Sequence, residues 1–160
     1  MTANPNNIIL GAAVVQIDST DVGYTKGGTN VRYEPEYVDV VGDQSVGVVK
    51  KFRSNEKMFV VITVLEITLA RIRDAFNYPS ANLSGSTLTL GYNNACYIVE
   101  HDLILTGVGP SCGVRTFHLS RCVAVGNREY KMSREEETAF EIEFECLKDS
   151  SGHFGTIVDS

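Results

Sequence analysis

The sequence predicts a mainly β domain with one flanking α-helix. Three features carry that expectation. Several runs are rich in Val and Ile, one stretch near the C-terminus alternates strictly between apolar and charged residues, and only one stretch has apolar residues at helical spacing. At 160 residues the chain is the size of one domain, with residues 1–7 and 150–160 read as arms. Such a chain buries a core without help from metals or disulfides. Hydrophobic residues at 43% and charged residues at 21% exclude wholesale disorder. No apolar run approaches the ~18 residues of a membrane span. The opening Met1-Thr2-Ala3-Asn4-Pro5 is polar and uncharged and carries no secretory signal.

Ile8 to Ile17 has the composition of a buried strand, and Ser19 to Asn30, with Gly23, Gly27 and Gly28, that of a turn region. Val31 to Val41 reads as a second strand, with Pro35 favouring an edge or a bulge. Gly42 to Lys57 is polar and reads as a long hairpin extension or loop, with weak strand character over Val46 to Phe52. Met58 to Leu65 is apolar on both faces, as in a strand covered on both sides. Leu65, Leu69, Ile72 and Phe76 then recur at spacings of 4, 3 and 4, which predicts a helix with these four on its core face and Arg71, Arg73 and Asp74 elsewhere on the wheel. Asn77-Tyr78-Pro79-Ser80 ends it.

The second half reads as strands at Thr87–Tyr92, Tyr97–Thr106, Gly113–Val125 and Thr138–Leu147. The turn Gly107-Val108-Gly109-Pro110-Ser111 joins the middle two into a hairpin. In the last strand Phe140, Ile142, Phe144 and Cys146 occupy one face and Glu141, Glu143 and Glu145 the other. Those three acids are read as a solvated outer face.

Net charge is −6, and the segment from Ser133 to Asp149 holds seven acids against two bases. This argues against tight binding to a nucleic acid backbone, which needs clustered Lys and Arg. The four cysteines, Cys96, Cys112, Cys122 and Cys146, are spaced by 16, 10 and 24 with no C-x-x-C pair, which argues against zinc. Two readings stand for them: buried thiols made in a reducing cytoplasm, or a bridge formed after release to an oxidising exterior. Cys146, on the face with three apolar residues, is expected to be buried and reduced, and Cys112, in its turn, to be exposed.

His101 and Asp102 point to opposite faces of a strand and form no dyad with each other. His118 and Cys122 fall on one strand face about 13 Å apart, too far for a nucleophile and its base. No phosphate-binding, dinucleotide, nucleophile-elbow or zinc-protease motif is present, so no catalytic residue, cofactor or metal site is expected.

Four segments in order resemble bacteriophage tail tube proteins. They are Asp21-Val22-Gly23-Tyr24-Thr25-Lys26-Gly27-Gly28 running on into Tyr33-Glu34-Pro35-Glu36, then Val38-Asp39-Val40-Val41-Gly42-Asp43-Gln44, then Val60–Leu69, and finally Phe140–Asp149 followed by Gly152. Four cysteines depart from the family pattern, and residues 80–112 match none of its motifs. The resemblance implies an antiparallel β-sandwich or half-barrel with one flanking helix, whose inner strands join neighbours into a ring-shaped barrel. Six copies form a ring, and rings stack into a tube through which viral DNA passes without tight binding. Tail sheath, baseplate and terminator proteins are the further partners, the place is the virion tail after synthesis in the host cytoplasm, and neither membrane insertion nor enzymatic activity is implied.

Carried onto this chain, the resemblance places the ring-stacking loop at Asp43, Gln44, Lys50, Lys51, Arg53 and Lys57; the eight residues from Lys50 to Lys57 hold four bases against Glu56. It places the lumen on one face of Val31–Val41 with Met58–Leu65 and one face of the second hairpin, giving Glu34, Glu36, Asp39, Glu100, Asp102, Thr116, His118 and Ser120 as lining candidates. The Glu141–Glu145 ladder goes to the outside. Cys112 is the cysteine that would bridge subunits. Other readings are a tail terminator or another ring-forming tail component, a carbohydrate-binding β-sandwich module, which this Trp-free chain suits poorly, and a small hydrolase.

Overall fold

A computed structural model describes residues 3–94 and 96–160; Met1 and Thr2 of the expected N-terminal arm lie outside it. The strands are β1 (Val14–Ile17), β2 (Thr20–Asp21), β3 (Asn30–Val41), β4 (Val48–Val64), β5 (Leu83–Ser84), β6 (Thr87–Leu88), β7 (His101–Val108), β8 (Val114–Val125), β9 (Phe140–Cys146) and β10 (Thr156–Asp159). The helix α1 spans Leu69–Ala75. The protein is mainly β, as expected. One antiparallel sheet in the order β2-β1-β7-β8-β9-β4-β3 carries the core, with β10 on β8, and it does not close into a barrel. Val31 of β3 nevertheless lines the same cavity as Leu105 of β7 and Phe117 of β8, so the sheet curls towards itself.

The core is the concave face. Val15, Ile17, Leu103, Leu105, Leu119, Cys122, Phe140, Ile142, Phe144, Cys146, Val60, Ile62 and Val64 are buried together. The alternation in β9 is as expected: Phe140, Ile142, Phe144 and Cys146 are buried, and the glutamates between them are not. β9 lies between β8 and β4, pairing Cys146 with both Cys122 and Met58.

The helix differs from its expected form. It begins at Leu69, capped by the Thr68 side chain, which accepts from the Arg71 N–H. Leu65 precedes it, in the bend just after β4, its N–H donating to the Tyr24 carbonyl. Leu69 is exposed, Ile72 is half-buried, and the buried face is Arg71, Asp74 and Ala75. Of the expected core face, Phe76 packs against the cluster, edge-on to Phe140. The charged face can be buried because Asp74 accepts from both Arg71 (3.0 Å) and Arg73 (2.7 Å). Asn77 then takes a left-handed φ of 54°, and its amide pairs with both backbone groups of Ala124, which clips the helix end to β8.

Other boundaries are corrected too. The first strand starts at Val14, and Ile8 and Leu10 are exposed. Thr87–Tyr92 shrinks to the two-residue β6, and Tyr97–Thr106 becomes His101–Val108 with Tyr97 and Ile98 exposed. Residues 150–160 are not a free arm. Asp149 accepts from the N–H groups of Ser151 and His153, the chain turns, and β10 pairs with Arg115–His118. Arg115 grips Asp159 through two hydrogen bonds of 2.6 and 2.7 Å. A Cβ on Gly155 would run into the His118 carbonyl, so only glycine lets the chain approach here.

Candidate functional site

The polar segment Gly42–Lys57 is mostly strand. β4 runs 17 residues, and only residues 42–47 form the loop at the tip. From Glu36 to Asn55 every residue except Gly42 is exposed, so the two strands project from the core as an arm. Among the described residues β3 pairs only with β4, and β4 pairs with β9 only from Met58 onward, so both edges of the arm are unpaired. The arm also displays Tyr37, Val38, Val40, Val41, Val46, Val48, Val49 and Phe52 to solvent. Apolar, β-rich and open-edged, it has the properties that make a strand pair with another chain.

Of the expected loop residues, Asp43 and Gln44 lie in the tip loop, whereas Lys50, Lys51, Arg53 and Lys57 lie on β4. The register explains how these four are divided. Tyr37 pairs with Arg53 and Glu36 with Asn55, so Ser54 is an extra residue, a bulge in β4 rather than at Pro35. Lys51 and Arg53 therefore share a face with Tyr37 and Asp39, and Lys57 shares the other with Glu34 and Glu36. Lys51 bonds Asp39 at 2.5 Å, Arg53 bonds Glu56 at 3.0 Å, and Lys50 lies over the Phe52 ring. The basic run is thus partly neutralised within the arm.

Glu56 holds the base of the arm to the body. Its carboxylate accepts from Tyr33 Oη (2.6 Å), Arg53 (3.0 Å) and Lys148 (2.6 Å), and Lys148 follows β9. The hydrogen bond from Lys148 and then that from Tyr33 hold its pKa down at about 2. A carboxyl depressed in the folded state stabilises it above the unfolded pKa and loses that contribution as pH falls towards the folded value. Glu56→Gln is therefore expected to melt below the wild type at pH 7, with the gap closing between about pH 5 and pH 2; a gap independent of pH in thermal melts would contradict this.

The lumen candidates are distributed differently from the expectation. Arg32 bonds both Glu34 (2.6 Å) and Glu143 (3.2 Å), and its guanidinium lies over Phe59. Glu34, Glu36 and the Glu141–Glu145 ladder therefore share the convex face of one sheet, and the ladder cannot be assigned to an opposite wall. Asp39, two residues beyond Tyr37 and paired with Lys51, faces the other way. Asp102 and Thr116 alternate with core residues on the convex side of β7 and β8, and His118 Nε2 sits 2.7 Å from Asp102. Glu100 precedes β7 and is held by Arg121 through two 2.7 Å bonds, which keep its carboxyl below the usual range.

His118 and Cys122 do not share a face. His101 pairs with Cys122 and Leu103 with Leu119, so β8 carries an extra residue there; Ser120 lies in that irregular stretch, and parity is lost across it. His118 is exposed and Cys122 is buried. The chain matches no known protein family and no characterised protein.

Sequence reasoning missed one polar cluster. Asp18, at φ 49°, accepts from the Asp102 N–H and lies 2.8 Å from Nδ1 of the buried His101, which packs edge-on against Phe144. Donor atoms of Asp18, Asp74 and His101 lie within 4.8 Å of one another. Both Asp74 oxygens already accept from guanidinium groups and both Asp18 oxygens from the β7 segment, so the cluster acts as a polar knot between helix and sheet. No signal in the sequence joins these three residues. Cys112 is exposed as expected, at φ 61° in its turn, but Cys96 is exposed as well; Cys122 and Cys146 are buried and reduced. Among the described residues no helix is long and apolar enough to cross a membrane.

Proposed function

We propose that this chain is a structural subunit that joins copies of itself into rings, and that the rings stack into a tube of the bacteriophage tail type. The observation that carries the reading is the β3–β4 arm, with its unpaired edges and exposed apolar residues. An open edge of this length is a liability in a free monomer, and closure of strands around a ring removes it. The hexameric ring, the virion tail as location, and sheath, baseplate and terminator proteins as neighbours follow from the sequence resemblance. The chain then acts without catalysis or cofactor.

The convex acidic face supplies the channel wall in this reading. Glu34, Glu36, Glu141, Glu143, Glu145, Glu100 and Asp102 act together there, with Arg32 and Arg121 already bound to carboxylates and Lys57, paired in register with Glu34, outnumbered by the acids around it. A polyanion slides past such a wall, because each unpaired Lys or Arg would add a salt-sensitive phosphate attachment. Negative-stain microscopy and sedimentation of the purified chain over a range of concentrations test the proposal. Hollow rings or tubes are expected; a monomer at every concentration overturns it.

A further inference from the structure

We propose that Cys122 and Cys146 form a latent disulfide, a redox staple between β8 and β9 that closes when the protein meets a small-molecule disulfide. The proposal does not depend on the assembly reading. The two cysteines are direct partners in the register, and their sulfurs lie 3.5 Å apart. The Leu147 N–H donates to the Arg121 carbonyl, which makes Cys122 and Cys146 a non-hydrogen-bonded pair. Such pairs bring their Cα atoms to about 4.5 Å, inside the ~4.4–6.8 Å range that a disulfide spans. Bond formation needs the sulfurs drawn in to about 2.05 Å, which side-chain rotation supplies without a change of register.

The two thiols differ in role. Cys122 is fully buried and donates to Cys146 Sγ; that bond and burial push its thiol above the ordinary range. Cys146 accepts that bond, which lowers its thiol, and it lines a surface cavity of about 350 Å³ with Arg53, Glu56, Lys57, Glu145 and Lys148. Cys146 therefore attacks first: its thiolate bonds one sulfur of the oxidant, and the other sulfur leaves as a thiolate and takes up a proton. Cys122 then gives up its proton and attacks Cys146 Sγ, and the second half of the oxidant leaves as a thiol. Two cysteine thiols are oxidised by two electrons, and the oxidant is reduced to two thiols.

The staple also has something to hold. Residues 126–139, between β8 and β9, contain no strand or helix and are mostly exposed. Closing that loop covalently restricts the unfolded chain.

The test uses the full chain carrying Cys96→Ser and Cys112→Ser, incubated with oxidised glutathione and then digested without reductant. A peptide pair joined through Cys122 and Cys146, two hydrogens lighter than the free peptides and released by dithiothreitol, is expected. The melting temperature is expected to rise by about 5–10 °C. Adding Cys122→Ser is expected to trap glutathione on Cys146, whereas Cys146→Ser is expected to leave Cys122 unmodified. The chain is also refolded in the presence of oxidised glutathione, which removes burial as an obstacle. Absence of the joined peptide in both folded and refolded protein overturns the proposal, as does a single-cysteine adduct that never resolves into the bridge.

Discussion

Replacing Val38 and Val40 with lysine is expected to abolish self-association while leaving the fold intact. Both side chains are exposed, on one face of the arm with Phe52 and Lys50 across from them. Since neither contributes to the core, stability should change by no more than about 0.5 kcal/mol each. In the proposed assembly the same positions would be buried, where an unpaired ammonium is costly and edge lysines oppose strand pairing. A loss of about 2 kcal/mol or more at the contact corresponds to at least ~30-fold weaker association. Sedimentation reads the association, and circular dichroism with thermal melts reads the fold. Rings forming at wild-type concentration would remove the arm from the interface; a collapsed melt would show that the arm supports the body after all.

What the sequence made legible follows from where one face of an element is buried and the other is wet. β9 satisfies that condition along its whole length, so its period of two is clean and both faces could be read. The β7–β8 hairpin was announced by its glycine- and proline-bearing turn. The arm was not, because from Glu36 to Asn55 both faces are wet and no pattern marks the bulge at Ser54. β10 is exposed throughout, and only the remote partner strand Arg115–His118 makes it a strand.

Of the convex acidic face, period two gave the face of each strand but not which strands lie side by side. Arg32, bound to Glu34, reaches Glu143 across 111 residues of sequence, a proximity that follows only from the β9-β4-β3 order. The helix failed for a different reason. Its apolar spacing pointed to Leu65, Leu69 and Ile72, whereas the face turned inward carries the Arg71–Asp74 ion pair, buried because its charges are met by one another.

That ion pair carries the largest single-residue effect expected in the body of the protein. Asp74→Ala is expected to destabilise the fold by about 3–5 kcal/mol, since it strands the buried Arg71 guanidinium without a partner and releases Arg73. Arg71 side chain is only 7% exposed and cannot reach water without moving the helix. Arg71→Ala is expected to cost less, because Asp74 keeps its two bonds from Arg73 (3.0 and 2.7 Å), whose side chain is 24% exposed. The double variant Arg71→Met with Asp74→Leu is expected to recover much of the loss, because well-packed apolar residues often match a buried ion pair in stability. Urea denaturation of the three variants gives the coupling between the two positions directly. Additive losses, or an Asp74→Ala cost below about 1 kcal/mol, would show that the guanidinium finds water in the unmodified fold, and the pair would then be a surface contact in energetic terms despite its burial.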